Sequence, residues 1–171
     1  MKLACNCSIT IDGNEKEVSE IFEIIKKDEN KFVIDYGNDV ERNDEYINGE
    51  LKIIILKTQS EINENISCGG IYFLISYEEN ELLYLGKSQQ LKNRLKQHLI
   101  ECSVSTNSHI LDVYRYLLQR KKDDKELKIK YGIINSESNK FNATAEGLLI
   151  DYIMQNKEKE LFKNCWNVRE D

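Results

Sequence analysis

Arg94 and His98 lie four residues apart in this 171-residue chain, where their spacing could serve chemistry. In a helix, residues i and i+4 stack on one face. A guanidinium can then hold a phosphate in its planar fork while the imidazole reaches an attacked or departing oxygen. The surroundings suit an anion. Residues 82–100 hold Lys87, Lys92, Arg94 and Lys96 and no acid, and residues 115–130 hold seven basic residues against Asp123, Asp124 and Glu126. A solvated helix face is the ordinary reading of such runs, and a phosphate-facing surface is the functional one. The other histidine, His109, lies near a predicted helix start and has no assigned role. Cys5, Cys7, Cys68, Cys102 and Cys165 are odd in number and irregular in spacing, with no CxxC or HxxxH pair. They read as reduced thiols in a cytoplasm rather than a disulfide framework or zinc site.

The elements that must position these groups follow from apolar periodicity. Leu91, Leu95 and Leu99 recur at helical spacing, predicting a helix over about 89–101 with Ser88 as its N-cap. Upstream, the apolar runs Ile71–Tyr77 and Leu82–Gly86 flank a polar tetrapeptide, predicting a β-hairpin. Tyr72 and Tyr84 share a face of that hairpin only if paired residue numbers have an even sum. This predicts an odd loop of three or five residues, such as Glu79-Asn80-Glu81, unless a bulge changes the parity. Downstream, Ile110, Tyr114, Leu117 and Leu118 mark a helix, 127–133 a strand, and 143–154 a last helix. In the first third, 3–11 reads as a strand, 12–14 as a turn, 16–27 as an amphipathic helix and 31–36 as a strand. There follow a polar loop at 37–45, a buried strand at 51–56 and a connector at 58–65. The fold class is therefore α/β (α+β): a small antiparallel sheet with a β-hairpin, flanked by helices, plus an N-terminal α/β segment.

Charge divides the chain in the same place. The net charge is −6 overall, yet residues 1–66 hold 8 Lys/Arg against 15 Asp/Glu while residues 67–171 hold 16 against 15. The bulk charge excludes a protein that coats nucleic acid or an anionic membrane non-specifically, but permits a local basic groove. The expected organisation is an acidic segment at 1–60 and a second domain at 67–171. No stretch approaches the roughly 18 apolar residues of a membrane span. Met1-Lys2-Leu3-Ala4-Cys5 lacks the apolar region of a lipoprotein signal. A cytoplasmic location is expected.

Gly70-Ile71-Tyr72, then Tyr84-Leu85-Gly86, then Arg94 and His98, form an ordered set that resembles the GIY-YIG nuclease family. The second triplet carries Leu where the family has Ile. Glu146, in Ala145-Glu146-Gly147-Leu148, looks like the family's metal-binding glutamate, and Asn167 like its late asparagine. Asn164 competes for that last place, and the proline usual before this asparagine is missing because the chain has none. The resemblance covers about 68–168. Each of these residues alone is ordinary: strands favour tyrosine, and a glutamate suits a first helical turn.

The resemblance implies a metal-dependent endonuclease acting on DNA. Tyr72, Tyr84, Arg94, His98, Glu146 and Asn167 are its catalytic set, and Lys87, Ser88, Lys92 and Lys96 its substrate-binding candidates. Glu146 would hold Mg²⁺ (or Mn²⁺) together with waters and phosphate oxygens. Arg94 would grip the phosphate. Tyr72 would take the proton of the attacking water. Because tyrosine is a poor base, with a pKa of about 10, it needs cationic or hydrogen-bonding help from His98, Lys87 or the metal. Tyr84 would hydrogen-bond the water or phosphate, and the asparagine would brace the site. The acidic segment could serve a homodimer or protein partner, with no membrane involved. Alternatives are an inactive nucleic-acid-binding or protein-interaction module on the same fold, and an RNA-directed nuclease.

Overall fold

The computed structural model describes residues 8–11, 14–27, 31–58, 62, 66, 69–135 and 139–168. Its strands are β1 (Ser8–Ile11), β2 (Asn14–Glu17), β3 (Lys31–Asp35), β4 (Val40–Ile47), β5 (Glu50–Thr58), β6 (Gly70–Ser76), β7 (Leu82–Ser88) and β8 (Lys128–Asn135). The helices are α1 (Val18–Lys26), α2 (Leu91–Leu99), α3 (Ser108–Lys122) and α4 (Asn139–Gln155), with short 3₁₀ turns at Glu101–Val104 and Trp166–Val168. Four strands form one sheet in the order β3-β8-β6-β7, while β1 with β2 and β4 with β5 make two-stranded ribbons. The mixed α/β architecture with antiparallel pairing is the one expected. The chain divides into two compact units, one of residues 1–32, 68–91 and 130–171, the other of 33–67 and 92–129.

The first unit is built on the β6–β7 hairpin. On β6 the odd positions Ile71, Phe73 and Ile75 enter a buried cluster with Leu82 and Leu85 of β7 and Ala145, Leu149 and Ile153 of α4. Helix α1 joins the same cluster through Val18, Ile21, Phe22 and Ile25, the spacing of one helical face. The Phe22 ring stacks on Tyr152 and meets Phe162 edge-on, each at 5.0 Å between centroids.

Leu82 and Leu85 are three apart, yet both reach this core. The register explains it. Tyr72 lies opposite Gly86 and Leu74 opposite Tyr84, but Ile75 lies opposite Leu82, so the pairing shifts by one residue at Leu83. Beyond this bulge the Ser76 N–H donates to the Glu81 carbonyl at 2.9 Å, closing a four-residue loop at 77–80. The odd loop expected from the sequence does not form. An even loop with a bulge gives the same parity through the motif.

The second unit departs further from the sequence expectation. Residues 40–47, read as mostly polar loop, form β4, a strand exposed along nearly its whole length. A two-residue turn joins it to β5, with Asn48 and Gly49 at φ 52° and 78°. Two successive left-handed residues suit a primed hairpin turn. On β5, Ile53 and Ile55 are buried, while Leu51 and Leu56 are exposed. Helix α3 is capped by Asn107, whose side chain accepts from the His109 and Ile110 N–H groups. Buried Tyr36 donates its hydroxyl to the Leu99 carbonyl at 2.6 Å, and burial pushes its pKa well above the ordinary value.

Of the strand expected over 3–11, Ser8–Ile11 is present; residues 3–7, Asp12-Gly13 of the expected turn at 12–14, and most of the expected connector at 58–65 lie outside the described residues.

Candidate active site

Four consecutive residues of β7, Tyr84 to Lys87, gather most of the first unit's candidate groups. Tyr72 and Tyr84 stand on the face of the hairpin opposite the apolar cluster, because they alternate with Ile71, Phe73 and Leu85. Their ring centroids are 5.9 Å apart. Both are buried, Tyr72 at 1% exposure and Tyr84 at 8%.

Gly86 makes this arrangement possible. A Cβ there would sit 2.6 Å from the Tyr72 hydroxyl oxygen and 2.7 Å from Cζ, far inside van der Waals contact. Only glycine leaves the ring this space. The tyrosine of the first triplet and the glycine of the second are thus one packing pair, which explains why the two triplets belong together. A matching pair lies on the other face of β6. A Cβ on Gly132 would fall 2.2 Å from Cζ of Phe73. Sequence reading missed Gly132, since nothing local marks which aromatic ring a strand glycine will meet.

Lys87 occupies the alternate position, on the face of Leu85. Its Nζ lies 3.8 Å from Oε2 of Glu146, with both side chains partly exposed. Along the strand's edge, Asn167 clamps the backbone of Leu85. The Leu85 N–H donates to Oδ1 at 2.8 Å, and Nδ2 donates to the Leu85 carbonyl at 2.8 Å. The 3₁₀ turn at Trp166–Val168 thereby satisfies a backbone amide and carbonyl that an edge strand leaves open. Asn164 instead donates to Oε2 of Glu81 at 2.6 Å, below the hairpin loop. The two competing asparagines therefore have different partners, and Asn167 is the one that contacts the motif.

Arg94 and His98 belong to the second unit, both on α2. Arg94 is half-buried and donates to Gln97 Oε1 at 3.1 Å. His98 is fully buried. Burial, with the charge of Arg94 and then His109 nearby, pushes its pKa down to about 3. At neutral pH it is therefore an uncharged imidazole, able to hydrogen-bond but not to lend positive charge to a tyrosine. Lys92 and Lys96 are exposed on the same helix. Ser88 accepts the Gln90 N–H at 3.0 Å, a local turn just ahead of the helix rather than a cap on its first turn.

Residues 68–159 match the family model of the GIY-YIG catalytic domain. The chain belongs to the GIY-YIG family. Members of this family are endonucleases, so membership implies nuclease activity. The match contains both triplets, Arg94, His98 and Glu146, while Asn167 lies beyond it. No curated protein and no solved structure matches the chain. Among the described residues no helix is long and apolar enough to cross a membrane.

Proposed function

We propose that this GIY-YIG protein is a metal-dependent endonuclease that hydrolyses DNA phosphodiester bonds. The observation that carries the reading is the buried tyrosine pair on one face of the hairpin, with Tyr72 seated over Gly86.

Hydrolysis needs a positioned water, an acceptor for its proton, and stabilisation of charge on the phosphate and leaving oxygen. Tyr72 is the proposed acceptor, and Tyr84 hydrogen-bonds the water or phosphate. Lys87 lies on the opposite face of β7 from the tyrosines, beside Glu146, and His98 is neutral, so the help that the tyrosinate needs is proposed to come from the divalent ion when bound. Arg94 is the proposed phosphate ligand, with Ser88, Lys92 and Lys96 as further substrate contacts. Asn167 is a positioning residue, holding the β7 backbone between Tyr84 and Gly86.

Among the described residues no group of three or more His, Cys, Asp or Glu clusters. Glu146 is a single, partly exposed carboxylate. One hard oxygen ligand suits Mg²⁺ or Mn²⁺, ions that retain waters and bind phosphate oxygens directly. Such an ion, held by Glu146, would neutralise charge on the phosphate and on the departing oxygen. Lys87 balances the Glu146 charge within the protein itself. One such site per chain implies a homodimer or sequential nicks for cutting both strands.

Supercoiled plasmid tests the reading. Nicking is expected with Mg²⁺ and not with EDTA, and is expected to be lost in Glu146→Ala and Arg94→Ala at unchanged circular dichroism. Full activity in either variant would sink the mechanism. Preferential cutting of a short RNA would replace DNA as the substrate.

A further inference from the structure

The row of β7 residues that faces α4 ends in a charge. Leu85 is fully buried in the apolar cluster. Lys87, two residues on, lies opposite Ile71 and is exposed, so strand alternation carries the row out of the core at its last member. On α4 the core positions are Ala145 and Leu149, and Glu146 sits at their border, partly exposed. The residues three and four positions from Glu146 along the helix are Asn142, Ala143, Leu149 and Ile150, none of them charged. The carboxylate therefore meets its cation across the layer rather than along its own helix, with Lys87 Nζ at 3.8 Å from Oε2. Gly147 beside it is exposed, and a Cβ there would touch nothing within 4 Å, so the helix surface next to the carboxylate is open.

This pair is one that other charges can exchange. The Lys87 and Glu146 side chains are 43% and 21% exposed, so water screens them and their attraction is weak. The ammonium is a point charge on a flexible stem, free to swing to another oxygen. A divalent ion and an ammonium compete for one carboxylate, whereas a phosphate offers oxygens to both.

We propose that Lys87 holds the place of the divalent ion at Glu146 in the free chain and passes to a substrate phosphate when the ion binds. The exchange couples the two ligands. An ion binding alone must break the pair and then repel the ammonium. A phosphate binding alone must take the ammonium from its carboxylate and then face the bared negative charge. Together each removes the other's obstacle, so ion and phosphodiester bind with positive cooperativity, which linkage makes reciprocal. The exchange rests on the reading of Glu146 as the ion's ligand given above, and it forms and breaks no covalent bond.

Mn²⁺ binding to the full chain, followed by the electron paramagnetic resonance signal of the free ion, tests the first half without any cleavage. Lys87→Met is expected to raise Mn²⁺ affinity about fivefold and Lys87→Arg to leave it unchanged. Fluorescence anisotropy of a labelled DNA oligonucleotide in EDTA tests the second half. Glu146→Gln frees the ammonium and is expected to tighten oligonucleotide binding about threefold. Glu146→Gln/Lys87→Met is expected to show no gain over Lys87→Met, since the cycle isolates the pair. A gain that persists without Lys87 overturns the proposal, as does Mn²⁺ affinity in Lys87→Met equal to wild type, or Mn²⁺ binding by neither chain. Circular dichroism checks folding, and if Lys87→Met misfolds, Lys87→Gln takes its place with the same expectations. Plasmid nicking is scored in parallel. Nicking by a chain whose Lys87→Met variant binds Mn²⁺ normally removes the exchange and leaves the nuclease; Lys87-dependent ion and oligonucleotide binding without nicking leaves the exchange and removes the nuclease.

Discussion

Gly86→Ala is the sharpest perturbation of the tyrosine site. The new methyl carbon would lie 2.6 Å from the Tyr72 hydroxyl oxygen, 2.7 Å from Cζ and 2.9 Å from Cε1. Carbon–carbon contacts are favourable at about 3.5–4.0 Å, so the ring or the strand must give by about 1 Å. Tyr72 is 1% exposed and cannot swing into solvent at no cost. Overpacking of this kind costs about 1–3 kcal/mol of stability. A displacement of about 1 Å in a positioned catalytic group costs about 100-fold in rate. Urea unfolding and plasmid nicking measure the two effects separately. The double variant Gly86→Ala/Tyr72→Leu identifies the cause. Relieving the clash should recover much of the stability while nicking stays lost, because the hydroxyl is gone. Tyr72→Phe should not rescue stability, since Cζ and Cε1 still collide. A Gly86→Ala protein with unchanged stability and cleavage would refute the packing pair and with it the account of the two triplets.

Asn167→Ala removes both hydrogen bonds to the Leu85 backbone, each worth about 0.5–1.5 kcal/mol net. A loss of about 1–3 kcal/mol in denaturation is expected, with faster hydrogen exchange at the Leu85 amide and slower nicking. Unchanged protection at Leu85 would show that the clamp is absent in solution. His98 has a folded pKa of about 3 against an ordinary 6.5. Above pH 6.5 both states are neutral and it contributes no pH dependence. As pH falls below 6.5 the unfolded chain takes a proton that the folded chain refuses, so stability declines by about 1.4 kcal/mol per pH unit, about 2 kcal/mol by pH 5. His98→Leu should flatten the stability curve between pH 6.5 and 4. An acid slope identical to wild type would mean that His98 titrates normally.

The sequence by itself determined what depends on local period. The 3.6-residue spacing of Val18, Ile21, Phe22 and Ile25 placed α1, the Leu91-Leu95-Leu99 series placed α2, and two apolar runs about a polar tetrapeptide placed the β6–β7 hairpin. The ordered triplets, Arg94, His98 and Glu146 were legible in the same way, as residue types in a set order. Tertiary structure decided what depends on pairing between distant positions. Residues 40–45 are too polar to read as strand, because a strand exposed on both faces has no apolar alternation, and only pairing with β5 reveals it. The parity rule constrained the two tyrosines but left open how the chain would satisfy it, since one bulge residue reverses every face beyond it. Burial of His98 is set by what packs over α2, so its charge state was beyond the reach of its spacing from Arg94. The clamp of Asn167 on Leu85 joins residues 82 positions apart. Its geometry is a property of the folded edge strand, whose open amide and carbonyl exist only once β7 has taken its place in the sheet.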